Sequence, residues 1–105
     1  MPRLTIAGKA IEVDDEGYMV DPALWDDAVA IELAKTQGID DLSEEHWTVV
    51  RFMREKYSTD GSAPSIRSLG KESGISTRDL YRLFPRGPAK LAALIGGIPK
   101  PDACV

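Results

Sequence analysis

Proline, glycine and helix-capping residues divide this chain into short segments, and this punctuation constrains its fold more than any other feature. From residue 21 onward, apolar residues recur at the three-to-four-residue spacing of α-helices. Asp21 followed by Pro22 is a favourable helix start, as is Ser43. Gly38 is a natural helix end, and Pro85 and later prolines interrupt the chain again. The pattern predicts a small, mainly helical domain.

Five helical segments are predicted between residues 21 and 95. They are "PALWDDAVAIELAKTQ" after Asp21, "EEHWTVVRFMREKY" after Ser43, two short helices near Pro64–Glu72 and Thr77–Phe84, and a last one at Pro88–Ile95. The first helix has one predicted apolar face, formed by Leu24, Trp25, Ala28, Val29 and Leu33. The second helix has a face formed by Trp47, Val50, Met53, Arg54 and Tyr57.

The first twenty residues have the alternation and turn signals of a β-hairpin. Leu4–Ile6 and Ala10–Val13 are strand-like and meet near Gly8, and a short extended piece at Tyr18–Val20 follows the acidic turn "DDEG". A lone hairpin is marginally stable, so it must pack on the helices. We therefore expect one α+β, mainly α domain over residues 1–105. It comprises a hairpin region (1–20), a helical body (21–95) and a mobile C-terminal arm (96–105).

Composition excludes several classes of protein. With 43% hydrophobic and 29% charged residues among 105, the chain is typical of a globular domain. The longest apolar run, Leu91–Ile95, is too short to cross a membrane, and the first residues lack a signal-peptide core, so a cytoplasmic location is expected. The single cysteine, Cys104, cannot form an internal disulfide, and His46 is the only histidine. No metal or organic cofactor is expected.

Charge is distributed unevenly along the chain. Residues 1–50 contain three basic and twelve acidic residues, a net charge of −9, whereas residues 51–105 contain ten basic and five acidic residues, a net charge of +5. The basic half can be simply solvated, or it can face nucleic acid or an acidic partner. Both interpretations stay open from the residues alone.

The segment "IRSLGKESGISTRDLYRLFPRGPAKLAALIGG" has the order of a helix-turn-helix, and "GISTRDLYRLF" is similar to the recognition-helix region of TetR-type repressors. Four basic residues recur every four positions and would suit phosphate contacts on a continuous helix: Arg78, Arg82, Arg86 and Lys90. Pro85 and Pro88 interrupt that register. The alternative is a core packing element, with an inward face of Ile66, Leu69, Ile75, Leu80 and Leu83.

The chain closes with "GGIPKPDACV", which places Cys104 next to the C-terminus. Gly96–Gly97 is predicted to act as a hinge, and the prolines favour an extended path, so Cys104 can reach about 26 Å from Gly96. A lone thiol on such an arm suits sulfur exchange, in which a thiolate attacks a persulfide or disulfide. Lys100 and Arg67 are candidate cations to support the thiolate. An incidental cysteine is the alternative.

Several blocks of the sequence together resemble one known family. They are "DDEGYMVDPALWDDAVAIELAKTQGI", "LSEEHWTVVRFMREKY", "APSIRSL", "LYRLFPRGPAKLAALIGGIPKP" and the closing "CV". These blocks are similar to the DsrC/TusE sulfur-carrier proteins along nearly the whole chain. The resemblance implies a small helical domain with an N-terminal hairpin and a flexible arm. It also implies that Cys104 carries sulfur and that Arg67, in the "AP–x–x–R" segment, lies near the docked arm.

Two departures from DsrC proper point to the TusE-like branch. Ala93 stands where DsrC has its second cysteine, and the insertion that DsrC carries before "LYRLFP" is missing. The resemblance then implies a sulfur relay, with a TusBCD- or DsrEFH-like donor complex and a tRNA 2-thiouridine synthase as acceptor, which can bring the chain close to tRNA. We expect a monomer with no independent active-site pocket. A DsrC-like protein of dissimilatory sulfur metabolism, a regulatory relative and a DNA-binding regulator are the alternatives.

Overall fold

The computed structural model describes residues 3–100, and this part of the chain forms a β-hairpin followed by five α-helices. The elements are β1 (Arg3–Ile6), β2 (Lys9–Glu12), α1 (Asp27–Thr36), α2 (Glu44–Asp60), α3 (Ile66–Glu72), α4 (Thr77–Leu83) and α5 (Pro88–Ile95). The mainly helical α+β class predicted from the sequence is confirmed.

The hairpin forms where the sequence predicts it. β1 and β2 are antiparallel, with Arg3 opposite Glu12 and Ile6 opposite Lys9, and Gly8 adopts a positive φ of 78° in the turn. Val13 then pairs with Met19, which agrees with the predicted third extended piece. One face of the hairpin is buried against the helices, so the helical body stabilises it.

The first helix begins later than the sequence predicts. Pro22–Leu24 form a single 3-10 turn capped by Asp21, and α1 starts only at Asp27, because Asp26 accepts a hydrogen bond from the Val29 amide and acts as a second N-cap. The predicted apolar face is therefore wrong at Leu24, which is 39% exposed, and at Ala28, which is exposed on α1. Val29 and Leu33 are buried, as predicted.

The second helix runs three residues beyond its predicted end. Ser43 caps α2 as predicted, and His46 completes a capping box by accepting from the Ser43 amide at 3.0 Å. The helix continues through Asp60 and stops at Gly61, whose φ of 79° gives the left-handed C-cap that glycine favours. The helix therefore ends at Asp60 rather than at the predicted Tyr57.

The α3–α4 pair forms the predicted helix-turn-helix-like element. Ser65 and Ser76 cap the two helices, accepting from the amides of Ser68 and Asp79. The predicted inward face is confirmed: Leu69, Leu80 and Leu83 are buried, and Ile66 and Ile75 are half-buried against the core.

The last helix, α5, lies at the centre of the fold. It packs against α1, α2, α3 and α4, and seven of its eight residues are buried. Because α5 is surrounded, the direction in which the chain leaves it is set by the body of the protein. Within residues 3–100, no helix combines the length and the apolar character needed to span a membrane.

Candidate functional site

The segment that follows α5 is buried rather than exposed. We call Gly96, Gly97 and Ile98 the arm root, since the predicted arm begins there. All three residues are buried, and Ile98 is only 1% exposed. Their amides donate back to α5, Gly96 to Ala92 at 2.8 Å, Gly97 to Leu94 at 3.2 Å and Ile98 to Ala93 at 3.2 Å. The arm root thus closes α5 as part of the core.

Two side chains from other elements hold the arm root. Arg54 of α2 donates from Nη1 to the Gly96 carbonyl at 2.7 Å and from Nη2 to the Pro22 carbonyl at 3.1 Å. Trp25 donates from Nε1 to the Ile95 carbonyl at 2.8 Å. The Arg54 guanidinium also lies 4.2 Å from the centre of the Trp25 ring, within the range of a cation–π contact. Three separate chain segments therefore meet at the arm root.

The backbone of Gly97 approaches Trp25 more closely than any side chain would allow. A Cβ at this position would lie 2.4 Å from Cδ1 of Trp25 and 2.8 Å from the sulfur of Met19. Gly97 also has a positive φ of 67°, which suits glycine. Glycine at this position therefore allows the backbone to pack closely against Trp25 and Met19.

The Arg54 guanidinium is half-buried, and this burial lowers the pKa of Arg54 below its usual value. An arginine nevertheless stays protonated at physiological pH. Its charge is met by main-chain carbonyl oxygens and by the face of an indole ring. Such contacts fix the backbone that supplies the carbonyls, because the planar fork offers its N–H groups in set directions.

A small pocket opens beside the arm root. Its volume is about 220 Å³, and its lining residues are Pro22, Ala23, Arg54, Tyr57, Ser58 and Ile98. Arg54 and Ile98 therefore contribute both to the arm root and to the pocket wall. The pocket is a surface groove next to the point where the chain leaves the core.

Lys100, a predicted supporting residue, lies at the end of the described chain. Its Nζ forms an ion pair with Oε1 of Glu16 at 2.7 Å, and this bond raises the pKa of Lys100. Both side chains are about half exposed, so the pair is of the weak surface type. Nearby, burial and then the charge of Glu16 raise the pKa of Tyr18.

Cys104, the predicted sulfur-bearing residue, lies outside the described residues, so its role stays a prediction. Arg67 is exposed on α3, and its predicted support of the thiolate also stays a prediction. No group of three or more His, Cys, Asp or Glu side chains within residues 3–100 is arranged to hold a metal ion.

The predicted basic surface does not form one continuous edge. Of its four residues, Arg78 and Arg82 lie on α4, Arg86 lies in the loop between α4 and α5, and Lys90 lies on α5. Arg82 is paired with Glu45 at 3.0 Å and with Asp79 at 3.5 Å, and the hydrogen bond to Glu45 raises the pKa of Arg82. We call the four basic residues Arg78, Arg82, Arg86 and Lys90 together the basic corner. Its function as a partner or nucleic-acid surface stays a prediction.

Sequence reasoning missed the role of Arg54 and Trp25 at the arm root. Arg54 did stand out as the one charged residue on the predicted apolar face of the second helix. A charge on such a face signals a buried polar contact. Its partners, two carbonyls far apart in the sequence, carry no side-chain pattern and could not be read from it.

Comparison with known proteins identifies the family to which this chain belongs. The family model described as "DsrC like protein" matches residues 5–105. The chain belongs to the DsrC-like family. Relatives named "Sulfurtransferase TusE" from Escherichia coli K12 and from Salmonella typhimurium are each 46% identical over 110 aligned positions, which cover 97% of this chain and 99% of theirs.

Solved structures share the fold along nearly the whole chain. The crystal structure of dissimilatory sulfite reductase I (DsrI) matches with a TM-score of 0.89 and 34% identity, covering 99% of this chain and 100% of the other. The NMR structure of Allochromatium vinosum DsrC matches with a TM-score of 0.83 and 39% identity, covering 98% and 97%. The fold expected from the DsrC/TusE resemblance is therefore confirmed.

Proposed function

We propose that this chain is a sulfur carrier whose Cys104 accepts sulfane sulfur as a persulfide and passes it to an acceptor enzyme. The observation that carries the proposal is the single cysteine, placed next to the C-terminus in a chain 46% identical over nearly its full length to proteins named sulfurtransferase TusE. The family match extends through residue 105 and so includes Cys104. The fold is consistent with the proposal, because the chain leads towards Cys104 from the buried central helix α5.

The chemistry is a thiol–persulfide exchange. The Cys104 thiolate attacks the outer sulfur of a donor persulfide, forming a new S–S bond while the donor's own S–S bond breaks. The electron pair of the broken bond stays on the inner sulfur of the donor, which leaves as a thiolate, and the transferred outer sulfur keeps its proton. Cys104 thereby becomes a persulfide without any external oxidant or reductant. The same step, with the roles exchanged, hands the sulfur to the acceptor.

The resemblance to the DsrC/TusE proteins suggests the partners of this proposed carrier. A TusBCD- or DsrEFH-like sulfurtransferase complex is the proposed donor, and a tRNA 2-thiouridine synthase is the proposed acceptor in the cytoplasm. Arg67 and Lys100 are proposed to favour the thiolate electrostatically. The basic corner is proposed to face the acceptor or its tRNA, because exposed guanidinium groups suit phosphate contacts.

The alternatives receive less support. A chain with one cysteine cannot close an intramolecular disulfide, which argues against the two-cysteine chemistry that the resemblance implies for DsrC proper. The apolar residues of α3 and α4 pack into the core, so this helix pair has a structural purpose without DNA.

Intact-mass spectrometry tests the proposal directly. After incubation with glutathione persulfide, the wild-type protein should gain the mass of one sulfur atom, and dithiothreitol should remove it. Cys104→Ala should gain nothing, because it has no thiol. A wild type that gains no sulfur, from this reagent or from a persulfide-loaded donor complex, would rule the carrier role out. Salt-sensitive DNA binding retained by Cys104→Ala would favour the regulator instead.

A further inference from the structure

The predicted hinge lies at Gly96–Gly97, yet the structure packs both glycines tightly. Pairs of glycines allow chain rotation, but rotation at Gly97 would move its backbone away from the Trp25 ring and the Met19 sulfur, which it closely approaches. The contact made possible by the missing side chain would then be lost. The role of Gly97 is better explained by close packing than by motion.

Ile98 provides a second reason to place the pivot later. Its side chain is 1% exposed and belongs to the core. Any rotation at Gly96 or Gly97 would withdraw this side chain into water. Burial of one isoleucine side chain favours the packed state by about 10- to 100-fold. Within the described residues, Pro99 is half-buried and Lys100 is exposed, so burial falls off immediately after Ile98.

Arg54 provides a third reason, because it ties the arm root to a distant part of the chain. One guanidinium bridges the carbonyls of Gly96 and Pro22, which are 74 residues apart in sequence. The 3-10 turn that supplies Pro22 is itself capped by Asp21 and is followed by Trp25, which bonds to Ile95. The bond from Arg54 to Gly96 and the bond from Trp25 to Ile95 therefore act on adjacent residues of the backbone.

We infer that Gly96–Ile98 form a fixed base rather than a hinge, so that the pivot of the proposed arm lies after Ile98, and that Arg54 is the positioning residue which holds this base. The inference rests on the proposed function, in which the arm delivers Cys104 to its partners.

Amide hydrogen exchange of the wild-type protein, read by NMR, locates the pivot. The amides of Gly97 and Ile98, bonded to α5 carbonyls, should exchange at least about 100-fold more slowly than an unstructured chain. The Lys100 amide, two residues later, should exchange at nearly the unstructured rate. Unprotected Gly97 and Ile98 amides would place the hinge at the glycines and overturn the inference.

Arg54→Met tests the positioning role and keeps much of the side-chain bulk. We expect the three arm-root amides to lose about 10-fold more protection than the α1 core amides of Val29 and Leu33. Arg51→Met is the matched control, since Arg51 also lies on α2 and over an indole, that of Trp47, at 5.1 Å, but bonds to Asp27. It should leave the arm root unchanged. An equal loss at all amides in Arg54→Met would reduce Arg54 to a general structural residue and overturn its assigned role.

Loading with glutathione persulfide separates this inference from the proposed function. Arg54→Met should gain sulfur on Cys104 as the wild type does, because a small reagent needs no positioned arm. Protected arm-root amides in a protein that takes up no sulfur would mean that the carrier role fails alone. Unprotected amides in a protein that loads normally would mean that the pivot assignment fails alone.

Discussion

The arm root and the basic corner use the same residue type in opposite ways. At the arm root, Arg54 is half-buried, and its partners are two carbonyl oxygens and an aromatic face. At the basic corner, Arg82 is 57% exposed, and its partners are the carboxylates of Glu45 and Asp79. The first arginine joins segments of backbone, whereas the second joins surface side chains.

The difference shows that an ion pair is not what makes a charged residue structurally important here. Carboxylate pairs in water are weakened by salt and by the entropy of two flexible side chains. Removing Arg54 takes a charged donor from the buried Gly96 carbonyl, whereas the Pro22 carbonyl keeps its hydrogen bond from the Trp25 amide at 3.2 Å. The arm root should therefore respond strongly to substitution, while the basic corner stays free to exchange its present partners for other anions.

The largest expected effect comes from filling the space beside Gly97. Gly97→Ala should lower the free energy of unfolding by about 3 kcal/mol or more, because the new methyl group would overlap Trp25 at a positive φ. Gly61→Ala is the control, since Gly61 also has a positive φ but no atom within 4 Å of the added Cβ, and it should cost about 1 kcal/mol. Urea denaturation gives both values. Equal losses would mean that the close approach at Gly97 contributes nothing.

The next largest effect separates the two arginines. Arg54→Met should lower the free energy of unfolding by about 2 kcal/mol, nearly independently of salt, because two carbonyls lose a charged donor. Arg82→Met should change stability little at low salt and not measurably at high salt, since its pairs are exposed. Thermal unfolding at two ionic strengths provides the comparison. A larger, salt-dependent loss in Arg82→Met would contradict it.

The smallest effect concerns an exposed ion pair close to the arm root. The hydrogen bond from Lys9, together with that from the Val29 amide, lowers the pKa of Asp26 below its ordinary value of 3.8. This stabilisation is present above pH 3.8 and is lost as the pH falls through the lower folded pKa. Asp26→Asn should therefore flatten the loss of stability below pH 3.8 while keeping an N-cap oxygen. Denaturant midpoints measured across this range test it, and an unchanged pH dependence would contradict it.

Local patterns were enough to predict the elements that depend on nearest neighbours. The hairpin, the Ser43 cap and the bounds of α5 follow from turn residues, capping residues and apolar spacing. The start of α1 was missed because two caps, Asp21 and Asp26, stand five residues apart and both form. Propensity alone does not decide which of them begins the longer helix.

The candidate site likewise contains one residue that could be predicted from the sequence and contacts that could not. Cys104 was singled out by its position in the sequence, because a thiol near a chain end has few structural explanations, and its role stays a prediction. The contacts of Arg54 and Trp25 join residues up to 70 apart through backbone carbonyls, which every residue possesses. Only the folded chain shows which carbonyl a given side chain meets.

Burial of Ile98 has a consequence for proteolysis. All the core residues of the described chain lie at or before this position. A protease that trimmed the residues after Ile98 would remove the thiol without removing any of those core contacts. The product would therefore keep the folded body while losing the one residue on which the proposed sulfur transfer depends.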